Sequence, residues 1–466
     1  MSQPRRTSFS VAHGKRTSGA SELPLAMLQS ISLGAESEEW INAWSQVNAR
    51  ELIDSRIVDI DAETSVEDAC DLLLSEDIPC LAVKSLPGNS SDSPYIGLFD
   101  FSDVNAFLTL AATRHTISPE ELRASPRVDQ IVSAARAGRV PVHLVSNLSE
   151  KNFLETLPYE AALLSLLSVF SRGTHRVLIR APAPSEAHIG IVSDRRLLSW
   201  FSDFAQRTPS FQNYLSNSLY MLHLPSLHMY VSVVAATASD QVLDAMRLMS
   251  EQGVSSVAVV DEELGTLLSA VSVTDIGKIV VPSQSNQILS TPLHQFISQI
   301  KAPDGSTDGV DKYPVYVVFP NSTLSHTIQK LLATNSHRLF VTDDSSISSS
   351  PTISGAGGLC GIVSIVDILS LFARVANIPD VDPTQRMRHR RASSSSSHSS
   401  RSSHTSRSNS RTSIRRLSAS PRIVAIDNPR ASPMIIPVSS GGSDNPRNSV
   451  SSLDAFQWSE LVSRKD

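Results

Sequence analysis

Apolar residues recur along this chain in two alternating rhythms. In SDQVLDAMRLMSEQ, beginning at Ser239, the residues Val242, Leu243, Met246 and Met249 return at helical spacing, and then Val257, Val259 and Val260 form a short buried-strand run. The same change occurs in SVEDACDLLLSEDIPCLAV from Ser65, in YEAALLSLLSVFSRGTHRVLI from Tyr159 and in TLSHTIQKLLATNSHRLFV from Thr323. Each is followed by an apolar strand, a turn and a helix start: YIGLFDFSDVNAFL from Tyr95, HIGIVSDRRLLSWF from His188, LLSAVSVTDIGKIV from Leu267 and LCGIVSIVDILSLF from Leu359. With Asp100, Ser193, Ser272 and Ser364 taken as equivalent, the copies lie 93, 79 and 92 residues apart. The repeat predicts a unit of strand, helix, strand, strand and helix, used four times in an α/β chain.

The periodic signal places units at 46–113, 139–204, 229–283 and 312–376. Residues 1–38 and 383–452 are rich in Ser, Arg, Pro or Asn and poor in apolar residues, so they cannot offset the entropy of ordering and are expected to be disordered. The terminal stretch 453–466 begins LDAFQWSELV and puts Leu453, Phe456 and Leu461 roughly on one helical face. That suits either a partner-docking helix or one that packs back on the core.

Charge sharpens this division. Between Pro383 and Ile423 stand ten Arg, no Lys and no acid, so the net charge of −6 leaves about −16 on the remainder. An acidic body argues against specific nucleic-acid binding by the folded units. Three cysteines, Cys70, Cys80 and Cys360, without CxxC spacing, fit reduced packing residues. Arg5 and Arg6 have no apolar segment behind them and no stretch is long enough to span a membrane, which predicts a soluble cytosolic or nuclear protein.

The chemistry-bearing positions lie at the strand-to-helix turns. Ser364 and Asp367 interrupt the apolar run GIVSIVDIL, and Ser272 and Asp275 repeat the pair in the third unit. One reading is a capping box, in which Ser accepts the amide three residues on and Asp reaches back. The other is a ligand site, because free amides at a helix start attract an anion and a carboxylate accepts ribose hydroxyls. The second unit has Ser193 but Arg196 in the Asp position, and the first has Asp103 but a second acid, Asp100, in the Ser position. Two basic pairs, His175 with Arg176 and His337 with Arg338, stand directly before the following strand, where they are either solvated strand starts or donors to phosphate.

These units resemble the CBS domain, and the pairs Ser272–Asp275 and Ser364–Asp367, set as in that family's G-x-x-[ST]-x-x-D motif, carry the likeness. The resemblance implies two tandem Bateman modules, the first unit with the second and the third with the fourth. It also implies clefts in which Asp holds ribose and Ser lies beside the phosphates. The two HR pairs, Arg196, and the closing HRL and GIVSIVDIL resemble the γ subunit of AMP-activated kinase, which implies AMP, ADP or ATP as a regulatory ligand. The cleft expected to be best equipped holds Ser272, Asp275, His337, Arg338, Ser364 and Asp367.

Motifs of catalysis do not occur: there is no G-x-S-x-G, P-loop, HExxH or kinase HRD set, and the thirteen His show no metal-ligand spacing. GAGGLCG at 355–361 precedes a strand, which makes it a loop and not a dinucleotide fingerprint. RRTS at 5–8, RRAS at 390–393 and RRLS at 415–418 suit basophilic kinases, or arise from a Ser/Arg-rich composition.

Taken whole, a Ser-rich arm, WINAWSQVNARELID, four units and a Ser/Arg tail resemble the fungal Sds/Moc family of four-CBS-domain proteins. That resemblance implies a non-enzymatic, stress-linked regulator of cell separation, DNA replication and the cell cycle. It implies inhibition of a type 2A-like phosphatase, and presence in both cytoplasm and nucleus. The alternative is a γ-type subunit of a kinase complex.

Overall fold

Each change of rhythm in the sequence becomes a helix-to-strand junction in the structure. This computed structural model describes residues 34–86, 93–224, 233–301, 315–342 and 358–383, apart from positions 118, 183, 186, 223, 264, 280, 282–285 and 382. The expected tail, the terminal 453–466 stretch, the Arg-Arg motifs and residues 355–357 of GAGGLCG lie outside these residues, and the last three residues of GAGGLCG, read as loop, begin a strand.

Twelve strands among the described residues form four three-stranded sheets of one design. The first holds β1 (Asp59–Ile60), β2 (Cys80–Lys84) and β3 (Tyr95–Asp100), and the second β4 (Thr156–Pro158), β5 (Arg176–Arg180) and β6 (His188–Ser193). The third holds β7 (Ala235–Thr237), β8 (Ser256–Val260) and β9 (Leu267–Ser272), and the fourth β10 (Val317–Val318), β11 (Arg338–Thr342) and β12 (Leu359–Ser364). In every sheet the first pair is parallel, joined by a crossover helix, and the second is antiparallel. Each antiparallel pair also shifts register at the same point, at Val83/Lys84, Ile179/Arg180, Val259/Val260 and Val341/Thr342. This is a mixed α/β fold of the CBS type.

The sheets pair through small and aliphatic side chains. Cys80, Ala82, Leu98, Leu178 and Ile191 join the first sheet to the second, and Ala258, Val260, Leu267, Phe340 and Leu359 join the third to the fourth. Helices connect the two modules on their other sides. The helix Phe101–Thr113 packs on Val242–Gln252 and Val273–Ile279 of the third unit, while Ile365–Val375 packs on Leu163–Phe170 and Asp194–Arg207 of the second.

Those two helical cores differ in chemistry. Between the second and fourth units, Trp44 meets Phe201 edge-on at 5.0 Å between centroids, and Phe201 meets Phe372 at 4.7 Å. Trp40 and Trp44 come from the Gly34–Ser45 helix, which begins inside the span read from sequence as an N-terminal arm. Between the first and third units the packing is mostly aliphatic, with Phe101, Phe107 and Phe296 but no tryptophan, and it is close. A Cβ added at Gly277 would stand 2.0 Å from Phe101 Cδ1, so only glycine lets these helices approach.

Cys70 and Cys80 are buried free thiols whose pKa values burial raises, as expected for inert packing residues. Among the described residues no helix is long and apolar enough to cross a membrane.

Candidate functional site

The antiparallel registers determine what faces each helix start. The last residue of one strand, which caps the following helix, stands opposite the first residue of its neighbour: Cys80 with Asp100, Arg176 with Ser193, Ser256 with Ser272, and Arg338 with Ser364. The two arginines of the HR pairs are therefore held by the sheet beside their own helix caps.

In the fourth unit the cap is a closed box. Ser364 N and Oγ donate to Asp367 Oδ2 at 2.8 and 2.7 Å, and Asp367 N donates to Ser364 Oγ at 3.2 Å. Ser272 and Asp275 repeat these three bonds at 2.8, 2.7 and 3.2 Å. The capping reading is thus realised in both units, and in both the bonds converge on a single carboxylate oxygen. Asp367 is buried, whereas Asp275 is half-buried.

Arg338 links the two units. Its Nη2 crosses to Ser255 Oγ of the third unit at 2.6 Å. Burial lowers its pKa, with the Asp367 carboxylate acting in the opposite direction. Its Nε, and the hydroxyl of nearby Ser256 at the start of β8, are buried without a hydrogen-bond partner. Buried donors in that condition call for a polar guest.

The first unit is built differently. Asp100 caps its helix by accepting from Ser102 N at 2.8 Å and Asp103 N at 3.3 Å, and also receives Asn152 Nδ2. Arg176 reaches across from the second unit to within 3.5 Å of Asp100. Burial opposes its charge, but Cys80, Asp100, Asp194 and Asp54 outweigh that and raise its pKa. Asp103 is fully buried, accepting Ser149 N at 2.8 Å and Asn147 N at 3.1 Å from a loop folded over the helix start. Desolvation, then the neighbouring Asp100, push the Asp103 pKa up to about 8. Expected as a ribose ligand, Asp103 is instead committed to that loop.

In the second unit Ser193 accepts Arg196 N at 3.1 Å and donates to Asp54, so its hydroxyl is used within the protein. Arg196 turns elsewhere. With Arg207, Trp200 and Phe204 it lines a cavity of about 490 Å³ that is closed on the other side by Val47, Glu51 and Leu52.

The histidines of the two HR pairs leave the expected clefts and meet each other. Their rings lie 5.5 Å apart between centroids. His175 Nδ1 is 2.7 Å and His337 Nδ1 3.9 Å from Asp194 Oδ2. The cleft expected to hold His337 beside Arg338 is thereby divided: Arg338 turns toward the third unit, His337 toward the second. Asp194 went unnoticed in the sequence, although an acid in the first turn of a helix, next to the Ser193 cap, was the available signal.

The CBS domain family matches residues 227–281. "Protein sds23" of Aspergillus clavatus is 35% identical over 322 residues, which cover 68% of this chain and 59% of that one. The chain is a homologue of the Sds23 and Sds24 proteins. "Protein SDS24" of Saccharomyces cerevisiae is 30% identical over 319 residues, covering 66% of this chain and 58% of its own. The chain thus spans about three-fifths of the length of the Sds23 and Sds24 relatives it matches. Among solved structures, Protein MJ1225 of Methanocaldococcus jannaschii, described as an archaeal homologue of g-AMPK, aligns over 70% of this chain and 100% of its own, with 15% identity and a TM-score of 0.48.

Proposed function

We propose that this chain is a non-catalytic regulator whose third and fourth units together bind an adenine nucleotide, AMP, ADP or ATP. The carrying observation is Arg338, which crosses between the two units beside the Ser364–Asp367 helix start with a buried Nε that has no hydrogen-bond partner among the described residues. A guanidinium held in place presents paired donors to phosphate. The eleven-residue helix Ile365–Val375 turns its positive end to the same junction. Ser256, Ser272 and Asp275 line the third-unit side.

Calorimetry on the full chain tests this reading. Saturable binding of at least one of the three nucleotides is expected, weakened about tenfold or more by Arg338→Ala, since a charged hydrogen bond contributes about 1.5–3 kcal/mol. Wild-type protein that gives no binding at millimolar nucleotide overturns it.

The output we propose is inhibition of a type 2A-like protein phosphatase, in stress response, cell-cycle control, DNA replication and cell separation, in cytoplasm and nucleus. Its support is the Sds23/Sds24 homology together with the family resemblance of the whole chain. The second reading, a γ-type subunit of an AMP-activated kinase complex, is favoured by the two HR pairs in equivalent strand starts. Affinity purification separates them: a phosphatase or its regulators recovered with the chain supports the first, and a kinase in equal amount supports the second.

A further inference from the structure

We propose that His175, Asp194 and His337 form a binding site for one zinc-type divalent cation, joining the second unit to the fourth. One ring nitrogen from each histidine and one carboxylate oxygen lie within 4.8 Å of one another. Two imidazoles and a carboxylate, with water as a fourth ligand, are a donor set that suits zinc.

The carboxylate is aimed. Arg195 N donates to Asp194 Oδ1 at 2.7 Å, and Asp194 N donates to the His175 carbonyl at 3.0 Å. Those bonds leave Oδ2 turned toward both rings.

The required adjustment is small. Tetrahedral zinc with bonds of about 2.0–2.1 Å places its ligand atoms about 3.3 Å apart. The observed 2.7 Å for His175 and 3.9 Å for His337 bracket that spacing. As the cation enters, the proton that His175 Nδ1 shares with Asp194 moves to Nε2 of the same ring. The His337 side chain is 43% exposed, which leaves an open side for water and a route of entry. Against the site stand Arg176 and Arg195, whose charges act on the same carboxylate. They weaken a cation but leave the three donors unobstructed. The ligands come from two units 162 residues apart, counted from His175 to His337, which is why no spacing in the sequence displays them.

The test uses the full chain stripped with EDTA, with no nucleotide present, titrated with Zn²⁺ in competition with a chromogenic chelator. Saturation at a single equivalent per chain is expected, with affinity reduced about tenfold or more in His337→Ala and in Asp194→Asn. His294→Ala, at an exposed histidine in the helix Leu293–Lys301, serves as the control and leaves affinity unchanged. Co²⁺ in place of zinc should give the visible absorption of a tetrahedral site, lost in His337→Ala. Because Asp194 is buried, its variant also needs a melting curve, and His337→Ala decides if that variant unfolds. No saturable zinc binding by wild type, or unchanged affinity in His337→Ala, overturns the proposal.

Discussion

The helix starts of the first and fourth units share a backbone design and use it for opposite ends. In the fourth, a serine and an aspartate close a capping box and an arginine crosses beside it with one donor unmet. In the first, both positions are acidic, Arg176 partly neutralises one, and a loop bonds to the other. The same turn becomes a structural lock once a buried carboxylate and a loop occupy it. Recurrence of a motif therefore reports a shared ancestry of shape, while the neighbours decide its use.

The comparison can be broken most forcefully at Asp103. Asp103→Ala leaves the amides of Asn147 and Ser149 without their buried acceptor, at about 1–3 kcal/mol each, so a loss of about 4 kcal/mol is expected by chemical denaturation. An effect under about 1 kcal/mol, the value of an exposed cap, would show that the first unit is no lock. Next in size is Gly277→Ala, whose methyl would collide with Phe101 on the first-to-third helical face. Overpacking of this kind costs about 1–3 kcal/mol, read as a drop in melting temperature.

The third way concerns pH. Asp103 has an ordinary value of 3.8 in the unfolded chain and about 8 when folded. Its protonated form is favoured by folding, so its stability contribution is complete below 3.8 and is lost as pH rises toward and through 8. Melting curves of wild type should fall across that window, and Asp103→Asn, which cannot ionise, should flatten this part of the decline. An identical slope in both would contradict the assignment. The smallest effect is Ser364→Ala, which removes one cap and is expected to cost about 1 kcal/mol while leaving the pH slope of Asp103 untouched.

Much of the fold was legible because it is periodic. Helical spacing at Val242, Leu243, Met246 and Met249 did mark a helix, and the strand runs did pair as three-stranded sheets. The boxes at Ser272 and Ser364 were legible too, since both partners lie within one turn. What escaped depends on contacts without period. The loop that occupies Asp103 comes from residues more than forty positions away, and the crossing of Arg338 to Ser255 spans 83. The meeting of His175 with His337 follows from how helices of the second and fourth units pack, which no local pattern encodes.

The aromatic core of the second and fourth units has a consequence for synthesis. Trp44 emerges from the ribosome early, yet one of its ring partners, Phe372, lies about 330 residues downstream. At ribosomal rates of about 5–20 residues per second, that tryptophan waits tens of seconds before its last partner arrives. The amino-terminal helix therefore acts as a latch that is made first and engaged last, and until then its indoles are surface for a chaperone to hold.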